Sequence, residues 1–389
     1  FYWNVPSKLC KSEYSLNPED YGIVTNVNQT FLGDKILTFY ESNLGLYPKL
    51  IILNSTVEPE YSEEISPKGK STVVEVVNGG IPQRSDLGAH LRKVKTDISK
   101  FIKKRKKFSG LFVIDYEDWR PLWDMNYGNK RIYQVESINW VKERYPGISD
   151  RFAREVAEKE FNRAAKKFML RTIRAVRRLL PNGKIGFYGF PSCNYDAGKY
   201  KNRCSRRQRG ANRRLNWLFE ASSALFPSIY YYNGNKMDKS WRERNTHARI
   251  MEALSVRKNI GKEISIYPFT MFYYNDTDYY NKTDTCLSTV QPAGYGIQGL
   301  IIWSSSRNMK YRCPGFKKFF QTIYGPKAQK LTKVVSDCNR ELCNNNGICI
   351  RRKLTPPFEC GFGPWTRQNY KCHCDSGFVG GNCEFQFEF

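Results

Sequence analysis

Leu111-Phe-Val-Ile-Asp115-Tyr-Glu117-Asp118-Trp119-Arg120-Pro121 is the stretch that decides how the chain is read. Its apolar start has the character of a buried strand, and the end of that strand delivers carboxylates at positions i and i+2. The two-residue period of a strand puts Asp115 and Glu117 on one face. Neighbouring carboxylates repel as anions, so such a pair tends to hold one proton. Aromatic surroundings would raise the acid further. A carboxyl that keeps its proton is what a glycosidic oxygen needs from a general acid. A bare D-x-E is also common as a capping or salt-bridged acidic turn, and the rest of the chain has to separate the two.

Outward from this strand, similar apolar runs recur. They are Leu50-Ile-Ile-Leu53, Ile185-Gly-Phe-Tyr188, Ile229-Tyr-Tyr-Tyr232, Ile264-Ser-Ile-Tyr267 and Leu300-Ile-Ile-Trp303, each read as a buried strand. Helical patterns lie between them. The clearest starts at Ser149-Asp150, a capping pair, and runs to about Leu180. Phe161, Ala165, Phe168, Thr172, Val176 and Leu179 form its inner stripe. Lys166, Lys167, Arg171, Arg174, Arg177 and Arg178 occupy its other faces, and Pro181-Asn-Gly183 ends it. Strand and helix in alternation predict an α/β fold with a parallel sheet, a (β/α) TIM-like barrel over 1–330, with the site at the C-terminal strand ends. Residues 331–389 form a second, small module.

The chain has 389 residues, twelve Cys and a formal charge of +26. Sequons at Asn28, Asn54, Asn275 and Asn281, beside an even set of Cys, predict a glycosylated, disulfide-bonded protein that is secreted and extracellular. The start at Phe1 suits a processed mature form. No apolar run is long enough for a membrane span. In that compartment the positive charge points to an acidic polysaccharide rather than nucleic acid; a solvated basic surface is the plain alternative. Aromatics at 15 % suit a protein that stacks sugar rings, and equally suit an ordinary core.

The tail reads C-x4-C-x5-C-x22-C-x-C-x8-C from Cys338, ending Cys374-Asp-Ser-Gly-Phe-Val-Gly-Gly-Asn-Cys383. It resembles an EGF-like module. That resemblance implies the pairs Cys338–Cys349, Cys343–Cys372 and Cys374–Cys383, and a surface that can contact another protein or brace the barrel. A zinc site is the rival reading of these Cys.

Carboxylates at i and i+2 point the same way, so they do not easily flank one bond. Retaining and inverting pairs need carboxyls about 5–5.5 Å and about 6.5–9.5 Å apart, placed across it. The other candidate strand ends offer Tyr188, Tyr230, Tyr273 and Trp303 rather than acids. The nucleophile is then expected from the substrate: the carbonyl oxygen of an N-acetyl group attacks the anomeric carbon. Asp115 would hold the amide N–H and Tyr230 would support the amide oxygen.

Asp115-Tyr-Glu-Asp-Trp-Arg-Pro121, Gly186-Phe-Tyr-Gly-Phe-Pro-Ser-Cys193, Phe226-Pro-Ser-Ile-Tyr230 and Gly299-Leu-Ile-Ile-Trp303 all resemble signatures of glycoside hydrolase family 56, the animal and venom hyaluronidases. So do Tyr2-Trp-Asn-Val-Pro6, Phe39-Tyr-Glu-Ser-Asn-Leu-Gly-Leu-Tyr-Pro48, Asn78-Gly-Gly-Ile-Pro-Gln83 and Leu87-Gly-Ala-His-Leu91. The likeness spans nearly the whole chain in order. It implies a distorted barrel and endo-hydrolysis of β-1,4 N-acetylhexosaminidic bonds in hyaluronan with retention. It implies Glu117 as proton donor, Asp115 as its partner, and Tyr188, Tyr230 and Trp303 around the cleaved sugar. Arg249 would lie near the substrate carboxylate, with Tyr273 a weaker match. Cys10–Cys313 and Cys193–Cys204 would be the core disulfides, and Cys286 and Cys360, left over, are expected to pair. Trp303 is followed by Ser304-Ser305-Ser306 where the family often carries a second aromatic. Ser304 and Ser305 are then candidates to donate to a sugar carboxylate.

Two basic clusters stand out. Residues 103–107 precede the catalytic strand and read as a general surface patch. Arg203, Arg206, Arg207, Arg209, Arg213 and Arg214 follow the Tyr188 strand end and are the better candidates for a substrate rim. His90 and His247 read as structural. The chemistry calls for no metal or cofactor. A monomeric hydrolase acting on hyaluronan is the leading expectation. Preference for chondroitin, and a catalytically silent glycosaminoglycan-binding protein, are the alternatives.

Overall fold

The computed structural model describes residues 1–53, 74–102, 108–231, 237–358, 360 and 365–387. In chain order the strands of the main body are β1 Tyr2–Asn4, β2 Val24–Thr25, β3 Ile36–Tyr40, β4 Lys49–Ile52, β5 Val74–Val77, β6 Leu111–Asp115, β7 Lys184–Phe187, β8 Ala224–Leu225, β9 Ser265–Ile266, β10 Phe269–Thr270 and β11 Ile301–Trp303. The helices are α1 Leu87–Ile102, α2 Arg131–Arg144, α3 Asp150–Leu179, α4 Arg206–Arg214, α5 Asn216–Ala221, α6 Lys239–Ile260, α7 Lys282–Ala293, α8 Met309–Phe319 and α9 Gly325–Glu341.

The chain divides into two compact units. One comprises Phe1–Thr38, Ser109–Val113 and Gly186–Phe389; the other comprises Phe39–Phe108 and Ile114–Ile185. In the first, β1 pairs in parallel with β2 and β11, β10 with β11, and β8 with β9. Parallel pairing demands crossovers, and the helices between the strands supply them. The inward faces carry Ile36, Leu111, Val113, Phe226, Phe269 and Ile301, packed as one apolar cluster. Gly186 lets two strands approach: a Cβ there would stand 2.2 Å from the Ala224 carbonyl oxygen. β6 lies between β3 and β7 in a three-stranded sheet.

The second unit is built on α3. Ser149 caps it by accepting from the Phe152 backbone N–H. Phe161, Ala165, Phe168, Thr172 and Val176 are buried, as their spacing predicts, and Met169 and Ile173 join them. This face packs against α1 and α2.

Two sequence readings need correction. The run Leu50–Leu53 is not a buried parallel strand. β4 pairs antiparallel with β5, and Ile52 and Leu53 are exposed. Its apolar content deceived because a hairpin can leave one face in water. At Ile229–Tyr231 no strand forms. The pairing residues lie earlier, at Ala224–Leu225, with an isolated parallel bridge from Ser228 to Phe269. Tyr232 and the basic run 103–107 lie outside the described residues.

Beyond α9, β12 Gly347–Arg351 pairs antiparallel with β13 Tyr370–Cys374, and β14 Phe378–Val379 with β15 Phe385–Gln386. Cys338–Cys349, Cys343–Cys372 and Cys374–Cys383 are bonded. With every cysteine in a disulfide, none is a thiolate, so the zinc reading falls. Position 330/331 falls inside α9. The tail belongs to the first unit: the Leu354 carbonyl accepts from the Tyr295 hydroxyl at 2.9 Å, and Phe358 packs with Tyr231, Trp241 and Leu287. Cys10–Cys313, Cys193–Cys204 and Cys286–Cys360 complete the set.

Cys286–Cys360 closes a separation of 74 residues. Replacing both by Ala is expected to lower stability by about 2–4 kcal/mol through the freed unfolded chain. Calorimetry would read this as a drop in midpoint with activity kept at room temperature.

Asn28, Asn275 and Asn281 are exposed, and Asn281 also caps α7; Asn54 lies outside the described residues. Among the described residues no helix is long and apolar enough to cross a membrane.

Candidate active site

In the second unit, Asp115 closes β6 and Glu117 follows on the loop. An aromatic floor fixes that loop. The Tyr116 hydroxyl donates to the Leu44 carbonyl at 2.6 Å, and the Trp119 indole N–H donates to the Pro48 carbonyl at 2.9 Å. Tyr47 stacks on Trp119 with ring centroids 5.2 Å apart, and its hydroxyl accepts from the Trp119 backbone N–H. Asn126, fully buried, accepts from the Arg120 N–H and donates back to the Arg120 carbonyl. A loop held at so many points presents its carboxylates in fixed positions.

The two acids differ in environment. Asp115 is 8 % exposed and its Oδ1 has no hydrogen-bond partner among the described residues. The Glu117 side chain is 51 % exposed, with the Arg120 guanidinium 3.6 Å away. Burial, and then the charges of Glu117 and Glu41, push the Asp115 carboxyl well above the usual carboxylate range; Arg120 pulls the other way. Glu41, the residue after β3, is raised by its own burial and then by Asp118 and Glu117. Asp118 is raised by burial against the pull of Lys49 and Lys130. Four carboxyls therefore share this electrostatic neighbourhood, where the sequence reading named two. Glu41 adds an acid at a strand end that was not among the candidate strands of the sequence reading. Its signal was present in Ile36-Leu-Thr-Phe-Tyr-Glu41, an apolar run ending on a carboxylate.

Lys130 was also missed. Its ammonium donates to the Glu117 carbonyl and, at 3.2 Å, to the Asp118 carbonyl. Burial first, and then Arg120, lower its pKa to about 8. Lys130 is a positioning residue: it holds the backbone from which the exposed acid projects. Lys130→Met is expected to lower kcat about tenfold or more, the worth of one charged hydrogen bond, with a smaller change in KM. Steady-state kinetics on oligosaccharides would read this split.

In the first unit, three of the expected aromatics form one wall. Tyr188 and Tyr230 have centroids 6.3 Å apart, and Tyr230 stacks on Trp303 at 6.0 Å with 27° between the planes. Tyr188 follows β7 and Trp303 ends β11. Tyr188 and Tyr230 are buried and Trp303 is half-buried; flat rings in a row are a surface on which a pyranose ring can lie.

Residues 1–358 match the hyaluronidase family. The chain belongs to that family. It is 33 % identical to a Caenorhabditis elegans protein named chondroitin hydrolase, over 99 % of this chain and 80 % of that one. It is 32 % identical to a Loxosceles intermedia hyaluronidase, covering 98 % and 94 %. Among solved structures it resembles bee venom hyaluronidase in complex with a hyaluronic acid tetramer, with TM-score 0.74, 27 % identity, and coverage of 85 % of this chain and 98 % of that one. The likeness carries the TIM-like barrel class that the alternation of strands and helices predicts. The family membership makes the chain a glycosidase of the hyaluronidase kind.

Other expected site residues are held by neighbours within their own unit. Arg249 is buried, and its guanidinium donates to the Asn245 side chain, the Ser228 carbonyl and the Asn194 carbonyl. It buttresses the segment that leads to Tyr230. Ser304 is 0 % exposed, with its hydroxyl 3.1 Å from that of Tyr273. A donor so enclosed does not face a sugar. Ser305 accepts from the Arg307 N–H at 3.0 Å and is half-buried. Tyr273 is buried over the Arg312 guanidinium. His247 pairs with Tyr295, and His90 with Leu46 and Thr172, as structural residues.

Proposed function

We propose that this chain is an endo-acting, retaining hydrolase of β-1,4 N-acetylhexosaminidic bonds in hyaluronan. Glu117 is the acid and base, and the substrate's N-acetyl group is the nucleophile. The observation that carries the reading is the contrast at the end of β6: an exposed Glu117 beside a buried Asp115 whose Oδ1 is unpartnered. Glu117 can reach a glycosidic oxygen. Asp115 can accept the amide N–H of a sugar that enters.

In the first step the acetamide carbonyl oxygen bonds to the anomeric carbon as the glycosidic C–O bond breaks. The proton on Glu117 passes to the leaving oxygen. With the sugar bound, the one proton that the pair shares lies on Glu117, and Asp115 is the anion that balances the positive charge developing on the amide nitrogen. Water then adds to the anomeric carbon, Glu117 takes its proton, and the acetamide is restored with the original configuration. Tyr188, Tyr230 and Trp303 are assigned to the face of the N-acetylglucosamine ring.

Chondroitin is the second candidate substrate, favoured by the name of the nematode relative. Incubation of the enzyme with each polymer, followed by sizing of the products, separates the readings. Short oligosaccharides from hyaluronan support the proposal, and products from chondroitin alone move it to the second substrate. Cleavage of neither supports a binding protein. For the exposed arginines of α4 as a substrate rim, activity should fall steeply with added salt, and a flat profile would remove them from the rim. Secretion, a monomeric state and glycans at the exposed sequons belong to the same proposal.

A further inference from the structure

The outer face of α3 carries a line of cations that the hydrolytic chemistry does not use. Arg163, Lys167, Arg171, Arg174 and Arg178 are all exposed and follow one another at spacings of four, four, three and four. That spacing keeps them on one face of the helix, over roughly 22 Å of its length. The two halves of α3 differ. In the first, Arg151 pairs with Glu155, and Glu160 takes Arg144 of α2. From Phe161 to the end of the helix the sequence contains no Asp or Glu. None of the five makes an ion pair among the described residues.

Adjacent like charges at i,i+3 and i,i+4 weaken a helix. The dipole at the C-terminus compensates for cations in the last turn only, which accounts for Arg178 and leaves the others without a structural reason. The opposite face of α3 is the buried one that packs on α1 and α2, so the stripe is not needed to hold the unit together.

We propose that this stripe binds a sulfated glycosaminoglycan, separately from the polymer that is cut. A straight single file of cations complements a linear polyanion. Five guanidinium or ammonium groups in about 22 Å match several sulfates per disaccharide better than hyaluronan's single carboxylate. Six disulfides assign the chain to an oxidising compartment, where sulfated polysaccharides rather than nucleic acids are the polyanions met. Bound there, the enzyme would be retained on the matrix it digests.

The test is titration with heparin over a range of salt, using the full chain with all five residues changed to Gln. The control removes equal charge from residues 203–214: Arg203→Gln, Arg206→Gln, Arg207→Gln, Arg213→Gln and Arg214→Gln. The stripe variant should bind heparin at least 30-fold more weakly and lose roughly one unit of salt slope per cation removed. A variant with Lys167→Gln and Arg171→Gln alone should lose about two units, a graded response that misfolding would not give. The thermal midpoint of the stripe variant should be no lower than that of the parent, and its hydrolysis of short hyaluronan oligosaccharides unchanged. An equal loss in the control would reduce the effect to net charge and overturn the proposal. So would unchanged heparin affinity, lost hydrolysis, or duplex DNA held as tightly as heparin.

Discussion

Glu117→Gln is expected to lower kcat on hyaluronan by about 10³-fold or more while leaving the thermal midpoint within a degree of the parent. The size follows from what a positioned acid contributes, about 10²–10⁴-fold, here with the same group serving as base in the second step. The lack of a stability effect follows from exposure: the side chain is half in water, and its partner Arg120 stands 3.6 Å away, so little folding energy rests on it. Glutamine keeps the shape and can still accept from Arg120, but has no proton to give. Sizing of products over long incubations reads the loss. A variant that cuts at parental rate would remove Glu117 from the chemistry.

Asp115→Asn carries the second large effect, and its sign differs between activity and stability. Burial pushes the Asp115 carboxyl well up in the folded protein, so the native state holds a proton that the unfolded chain releases near the ordinary value of about 3.9. Native protein then binds more protons than unfolded protein between those two values. Stability therefore falls as pH rises across that window and is fully present only below it. An amide in the same place carries no such penalty. The variant is expected to be more stable at neutral pH, with a midpoint about 2 °C higher or more, and to match the parent below about pH 4. Activity should move the other way, by about 10²-fold, because an amide cannot give up a proton to become the anion that balances the charge developing on the substrate nitrogen. Calorimetry at two pH values and kinetics at one would check both halves. A variant less stable than the parent at neutral pH would mean that Asp115 is a structural anion instead.

The sequence was most legible where its periodicity was long. The 30-residue helix α3 has a capping serine and a repeated apolar stripe, and both appear as read. The strand β6 was legible for the same reason: five buried residues give a clear run, although Glu117 lies past its end, where the strand period no longer sets direction. Elements of two or three residues, such as β2, β8 and β9, are too short to show a period, so the pairing near Ile229 was read in the wrong place. The hairpin of β4 and β5 shows the converse error, an apolar run whose pairing partner and exposure were set by tertiary context.

At the site, residue type was legible and direction was not. Arg249 and Ser304 carry the expected chemistry, but the fold turns both inward onto carbonyls and a tyrosine. Glu41 and Lys130 were hidden because each acts across the fold, from the end of another strand and the start of another helix, and sequence distance conceals such contacts. Glu41 matters most among them. It is a third acid in the field of Asp115, and a rival to the substrate as nucleophile.

The central claim is that the nucleophile belongs to the sugar, and one measurement addresses it: cleavage of hyaluronan whose N-acetyl groups have been removed and the amines re-capped with a group that lacks a carbonyl. Such a polymer should still bind the Glu117→Gln protein but not be cut by the parent enzyme, and Glu41→Gln should still cut native hyaluronan. Cleavage of the altered polymer at a rate near that of native hyaluronan would contradict it and give the nucleophile's role to an enzyme carboxylate.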